Sequence, residues 1–466
     1  MHLERSIHRF ILRNMEKGSK RVKNAWAFYD WANSVYSLII TSAVFPLYYA
    51  SATSKKELAN HTERMVDGET VHYITFFGVE FVNTAITSYL YSFSFLVVAA
   101  MIPLLTGIAD YSGKKRLFLR IFAYIGSLSC IALYFFDANQ LELSLIPLFT
   151  ASIGFWGSMV FYNSYLPEIA SLDEQDKLSA KGYTLGYLGS VLLMILCMVL
   201  CMPFGFNQEW NLAFLLVGVW WLVGTQIVLS FLPENSAGQQ PVPGKSMVLM
   251  GFVELQKVFR QLQKLKRLKR YQAAFFVYSM GVQTVMLMAT FFGAKAINWP
   301  IDPETGEQDD SGLVVAILII QLVAGIGAYF MAWLAKRMGN INVLKITVGL
   351  WALICLMAYV IHEPIEFYVL AGFVGFVMGG IQSMSRSTYS KFLPETKDHA
   401  SFFSYFDVLE KLGIVIGAFL YGFIEDLTGS MRNSALVLTV FFVVGFILLT
   451  FVPKNETKVD DSIVEA

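Results

Sequence analysis

Four groups of polar residues stand in otherwise apolar surroundings, and each has a type and spacing that could do chemistry. Asp30, Asn33, Ser34, Ser37 and Thr41 recur at helical spacing and share one helix face, while Trp31, Leu38 and Ile39 point elsewhere. Lipid offers such groups no partners, so the stripe should face a cavity. Asp30 there either binds a cationic group or a proton, or makes a structural hydrogen bond. Asp407, Glu410 and Lys411 fall within about a third of a helix circumference. Asp407 and Lys411, one turn apart, either neutralise each other or leave a carboxylate able to exchange a proton. Gln382 and Arg386 also stand one turn apart. An arginine can clamp a carboxylate through two bonds, or, this late in its helix, bind backbone and headgroups at the rim. The fourth group is Gly107, Asp110, Gly113, Lys114, Lys115 and Arg116: an acid at a helix end, a turn, then three cations. Asp110 is expected to accept hydrogen bonds from the start of the next helix.

The elements that must position these groups are membrane spans. Hydrophobic residues make up 56% of the 466-residue chain and charged ones 15%, which excludes an ordinary soluble domain. A spanning helix needs about 20 mostly apolar residues. Twelve runs qualify, at 26–50, 81–109, 117–136, 143–167, 181–203, 211–232, 271–297, 312–335, 343–361, 365–392, 400–424 and 433–452. Helices satisfy their own backbone groups in lipid, so an all-α polytopic membrane protein with twelve transmembrane helices is expected. Ser279, Gln283 and Thr290 give the seventh span a polar stripe of its own.

Net charge is zero, yet the cations are unevenly placed. Only Lys55, Lys56, Arg64, Lys295 and Arg432, five of the 35, fall on the connections opposite the termini. Both termini should therefore be cytoplasmic. Seven cations precede a first span too long for a signal-peptide core, so that span is expected to act as a signal anchor.

The chain also repeats itself. Tyr162-Asn-Ser-Tyr-Leu-Pro-Glu168 and Tyr389-Ser-Lys-Phe-Leu-Pro-Glu395 place their glutamates 227 residues apart, and the turn glycines Gly113 and Gly339 are 226 apart. Two landmarks in register imply two pseudo-symmetric six-helix halves. The expected organisation is a tail at 1–25, bundles at 26–232 and 271–452, a linker at 233–270 and a tail at 453–466. In the linker, Phe252, Leu255, Phe259, Leu262 and Leu265 recur beside Lys257, Arg260, Lys264 and Arg267. That basic amphipathic helix suits the anionic leaflet and serves as a tether, with no nucleic-acid partner expected.

Several chemistries are set aside. Cys130, Cys197, Cys201 and Cys355 all fall within spans with no ligand-spaced histidine beside them, so neither disulfides nor a metal site is expected. The Gly238–Ser246 segment has the wrong spacing for a phosphate loop, and no cofactor is expected. No Ser/His/Asp or paired-His arrangement lies within the spans, and none of the six histidines falls in one, so no enzyme is expected.

The 107–116 stretch resembles the loop between helices 2 and 3 of the major facilitator superfamily, with Thr106 where glycine is common and Tyr111 where arginine is common. Trp26-Ala-Phe-Tyr-Asp-Trp-Ala-Asn-Ser34, followed by Thr41-Ser-Ala-Val-Phe-Pro46, narrows the match. It resembles the vacuole-effluxer (autophagy-related) family of that superfamily. The likeness continues at Ile108-Ala-Asp-Tyr111, at 162–168, at 179–187 and at 385–388. It implies the major facilitator fold and secondary transport of a small organic solute, with amino-acid export as in the fungal members. The compact chain is similar to bacterial members, which implies the inner membrane. Asp30 and Arg386 would suit a zwitterion, one charge for each end. The expected mechanism is alternating access, with helix 5 against helix 8 and helix 2 against helix 11 as moving seams. The expected partners are the solute, the bilayer and protons as coupling ion, with the chain a monomer; the competing reading is a membrane solute sensor or scaffold that transports nothing.

Overall fold

The computed structural model describes residues 19–454 apart from 56, 59, 67–68, 202–209, 234–245, 302–311 and 429–430. Most of both tails and the first part of the linker lie outside the described residues. Helix α1 runs Lys20–Thr53. A sheet of β1 (His61–Val66), β2 (Glu69–Phe76) and β3 (Val79–Val82) follows. Helices α2 (Asn83–Ser112), α3 (Lys115–Ala132), α4 (Ile146–Asn163), α5 (Gln175–Cys201) and α6 (Asn211–Phe231) complete the first half. After α7 (Met247–Lys264), the second half comprises α8 (Lys266–Ala296), α9 (Gly312–Met338), α10 (Asn340–Val360), α11 (Pro364–Phe392), α12 (His399–Thr428) and α13 (Met431–Thr450).

Among the described residues, eleven of these helices are long and apolar enough to cross a membrane. The twelfth, α12, spans 30 residues but carries Asp407, Glu410 and Lys411 in its middle. It begins at His399, one residue before the expected span at 400. The side on which α1 begins is termed the terminal side, and the other the sheet side. Gly113 (φ +66°) and Gly339 (φ +82°) make the equivalent turns of the two halves on the terminal side. An L side chain rarely adopts such a φ, which explains a glycine at both.

Three features depart from the sequence reading. Residues 61–82, the last two of which belong to the expected second span, fold as an antiparallel sheet in the order β1-β2-β3. Helix α1 begins at Lys20, six residues before the expected span, and from Tyr36 to Ala43 it widens into a π-helix. The β-branched run Ile39-Ile40-Thr41 crowds the preceding turn of an α-helix, and Pro46 just beyond has no N–H to give one turn back. The third departure is α7. It packs against α2 along a buried stripe of Gly251, Glu254, Val258 and Leu262, while Phe252 and Phe259 of the expected apolar stripe remain exposed. Gly251 lies on Ile108, and its carbonyl sits where a Cβ of Gly107 would be, so only paired glycines allow this crossing. Tyr405 of α12 donates to the Leu255 carbonyl at 3.1 Å, tying α7 to the second half as well. Lys266, Arg267, Lys269 and Arg270, read as linker, belong to α8.

The halves meet where α5 packs on α9 and α2 on α12. Thr184 of α5 donates to the Gly325 carbonyl of α9 at 3.0 Å. Between the halves lies a central cavity of about 200 Å³.

Candidate functional site

The floor of the cavity is built from α1, α4, α5 and α11. Asp30 is 2% exposed and Arg386 1% exposed, both deep in protein. Arg386 Nη2 donates to Asp30 Oδ2 at 3.1 Å, and Tyr162 Oη donates to the same oxygen at 2.8 Å. The other guanidinium donors reach Ser179 Oγ (3.0 Å), the Ser179 carbonyl (3.0 Å) and Asn163 Oδ1 (3.3 Å). The cation also lies 4.1 Å from the centre of the Tyr183 ring and 4.8 Å from that of Trp26. A buried arginine needs this many partners, because any unsatisfied donor keeps its desolvation cost. Trp26 is itself held by its indole N–H, which donates to the Tyr162 carbonyl at 2.9 Å. Gly182 makes room: a Cβ there would meet Asp30 Oδ2 and lie 2.9 Å from Arg386 Nη2.

Two expectations change here. Arg386 is not at a headgroup rim but inserted from the second half into a first-half pocket. Asp30 and Arg386 neutralise each other in this state rather than standing apart for the two ends of a solute.

Asn33, Ser34 and Ser37 continue along α1 into the cavity wall, as the stripe requires. Beyond them the π-helix alters the register. Ser42, five positions after Ser37, lines the cavity in the place a regular helix would give Thr41, and Leu38 turns inward as well. Ser279, Gln283 and Thr290 of α8 line the facing wall. Gln382 accepts from Tyr187 Oη at 2.5 Å, linking α11 to α5.

A second charged group comes from α12. Lys411 Nζ donates to Asp407 Oδ1 at 2.7 Å and to Glu410 Oε2 at 3.0 Å, and lies 3.6 Å from the centre of the Trp156 ring. Gln283 Nε2 donates to Glu410 Oε1 at 2.7 Å. Asp407 Oδ2 is buried, has no hydrogen-bond partner, and belongs to a residue that lines the cavity. With every group ionised, the cavity and its wall hold three carboxylates (Asp30, Asp407, Glu410) against two cations (Arg386, Lys411). One negative charge is left over, the arrangement that draws in a cation or a proton.

The 107–116 motif lies outside the cavity, on the terminal side. Asp110 does not cap the next helix. It accepts from the backbone N–H of Ser401 (2.7 Å) and Ala400 (3.3 Å) at the start of α12, in the other half. The positive end of the α12 dipole favours that carboxylate. Lys115 pairs with Glu168, which also meets His399 Nδ1 at 3.1 Å across the seam. Arg116 donates to the Leu229 carbonyl, while Lys114 stays exposed. Asp176 of α5 pairs with Lys391 of α11 and accepts from Asn340 Nδ2 at 2.7 Å. These three cross-half contacts close the terminal side.

Sequence reasoning missed Asn163, Ser179, Asp176, Asn340, Lys391 and His399. Each is an ordinary residue at a helix end or face, and only the docking of the halves gives it a partner. Trp156 was also missed, since nothing in its own segment announces a lysine.

Residues 18–462 match the family described as vacuole effluxer Atg22 like. The chain is 28% identical over 457 residues to the uncharacterized MFS-type transporter YxiO of Bacillus subtilis, covering 96% of this chain and 98% of the relative. It is 24% identical over 484 residues to autophagy-related protein 22 of Saccharomyces cerevisiae S288c, covering 90% and 89%. Two solved structures share the fold at 13% identity. The fucose:proton symporter of E. coli aligns at a TM-score of 0.63 over 93% of this chain and 98% of that one. The human organic anion transporter MFSD10 aligns at 0.65 over 92% and 99%. The chain belongs to the vacuole effluxer Atg22-like family and is a multi-pass membrane transporter of the major facilitator superfamily.

Proposed function

We propose that this transporter exports a small amine-bearing organic solute, amino acids first, by proton-linked alternating access. The observation that carries the reading is the charge balance of the cavity. Three carboxylates face two cations, and Asp407 Oδ2 is buried without a partner. A solute ammonium or a proton supplies the missing charge. A solute carboxylate has Arg386 and Lys411 to compete for. A solute that replaces Arg386 at Asp30 loosens a contact between the halves and so binds the two states unequally, which any driven conformational change requires.

The cross-half contacts of Asp110, Glu168 and Asp176 would have to open for the terminal side to admit solute. The seams α5–α9 and α2–α12 would then slide. The uneven cations support cytoplasmic termini, so the terminal side is the cytoplasmic one, and the likeness to a bacterial relative supports an inner (plasma) membrane location. The outward direction is part of the proposal; the family description names efflux from a vacuole. The chain would act as a monomer.

Solute binding tests this reading without flux. Purified protein is heated with single amino acids, organic amines and neutral sugars. Stabilisation by an amine-bearing solute that disappears in Asp407→Asn supports it. Stabilisation by sugars alone, or by amines equally in Asp407→Asn, contradicts it.

A further inference from the structure

Away from the cavity, the β1–β2 hairpin brings three metal-ligating side chains to one face. Glu63 pairs directly with His72 across the antiparallel ladder, and His61 lies two positions before Glu63 on the same strand. Residues two apart share a face, so all three side chains leave the same side of the sheet. His61 Nε2 is 3.0 Å from His72 Nδ1, and Glu63 Oε1 is 3.6 Å from His72 Nδ1. The three ligand atoms lie within 4.8 Å of one another, and all three residues are half-buried.

Those distances suit a cation. Nitrogen and oxygen ligands about 2.0–2.1 Å from a tetrahedral metal stand roughly 3.3 Å from each other. Two of the three separations fall on either side of that value, and the third is within 4.8 Å. A hydrogen bond between the two imidazoles would use one proton and join two of the three groups. A divalent cation takes a lone pair from all three at once. Two imidazoles and a carboxylate are the ligand set of first-row transition ions, zinc above all, with water in the fourth position. On the opposite face Arg64 is paired with Glu80, so that guanidinium does not occupy the site.

We propose that His61, Glu63 and His72 bind a divalent first-row transition cation of the zinc class on the sheet side of the membrane. The ion would join the edge strand β1 to β2. A hairpin this short gains little stability by itself, so one cross-strand ion would matter to its order. The site does not depend on what the cavity carries. The spacing of His61 and His72, 11 residues apart, gives no sign of it in the sequence; the strand register creates it. Protons compete for imidazole lone pairs, so metal binding should weaken in acid.

The test uses the full chain in detergent, freed of metal by a chelator, and titrated with Zn²⁺ against a chromophoric competitor. One equivalent is expected to bind tightly, at least tenfold more weakly in His61→Ala and in His72→Ala, and unchanged in His362→Ala and in a His2→Ala/His8→Ala double variant. Co²⁺ in the wild-type protein should give the intense visible bands of a tetrahedral site, a readout that needs no variant. Absence of stoichiometric Zn²⁺ binding near neutral pH would overturn the proposal. Binding that survives His61→Ala and His72→Ala together, or an octahedral Co²⁺ spectrum, would do the same.

Discussion

Arg386 Nη2 meets Asp30 Oδ2 at 3.1 Å, although the two residues stand 356 positions apart and belong to different halves. The pair is a deeply buried link between the bundles, and the cavity opens directly above it. Removing one member of a buried ion pair leaves an uncompensated charge, at a cost of about 3–5 kcal/mol. Removing both costs less. Arg386→Gln should therefore be strongly destabilised and the Asp30→Asn/Arg386→Gln double variant partly rescued, by about 2 kcal/mol or more of coupling. Thermal unfolding of the four proteins checks this. Simple additivity would show that the contact is not energetically coupled.

Gly182 is the space in which that pair sits. Gly182→Ala should displace Asp30 or Arg386, with an overpacking cost of about 1–3 kcal/mol and loss of solute binding. At Gly349 of α10 an added methyl group would meet nothing within 4 Å, so Gly349→Ala should be neutral or stabilising by up to about 1 kcal/mol. Similar melting temperatures for the two variants would argue against the close contact at Gly182.

Asp110 satisfies the first N–H groups of α12 across the seam. Asp110→Asn keeps the size but loses the charge that the helix terminus favours, a change of about 1 kcal/mol. The terminal side should then open more readily. Cysteine-accessibility labelling at the seam should rise and turnover fall, with abundance near that of the wild type. Unchanged labelling and transport at normal abundance would remove Asp110 from the closure.

Glu254, Lys257 and Asp398 link α7 to the start of α12, with Lys257 Nζ 3.1 Å from Glu254 and 3.4 Å from Asp398. Burial, and after it the charge of Asp398, pushes the Glu254 carboxyl above the ordinary glutamate range. Burial works against the Lys257 charge, but Asp398 and Glu254 outweigh it and hold that group above its usual value. A carboxyl raised on folding stabilises most below the ordinary glutamate range, near 4.3, and that contribution is lost as pH rises through its folded value. Lysine's share persists through neutral pH and is lost as pH rises through its own raised value. Lys257→Met leaves two carboxylates facing each other, so its loss of stability should be larger at about pH 8 than at about pH 5. An equal loss at both would mean that the three groups do not act together.

The helices, the two halves and the turn glycines were legible because length, apolar runs and a repeat in register encode them directly. The sheet was legible only in part. Val71, Tyr73, Ile74, Val79 and Val82 are good strand formers, and Phe77-Gly78 suits a turn, but charged residues among them masked the alternation. Of the α1 stripe, Asp30, Asn33, Ser34 and Ser37 line the cavity and Thr41 does not, because a 3.6-residue wheel cannot show where a helix widens to π. For α7 the basic, aromatic face was plain, yet the face that packs is centred on Gly251, and a glycine leaves no apolar signal. The Asp30–Arg386 contact had both residues named without their partnership, since nothing local joins positions so far apart.

Flux tests the central claim most directly. Protein is reconstituted in liposomes with an imposed pH gradient, and a pool of labelled amino acids is followed for the wild type, Asp30→Asn and Asp407→Asn. The account predicts gradient-driven movement of at least one amino acid by the wild type and at least a tenfold loss in both variants. Folded wild-type protein that moves no amino acid in either direction, or variants that transport as well as it does, would contradict the account.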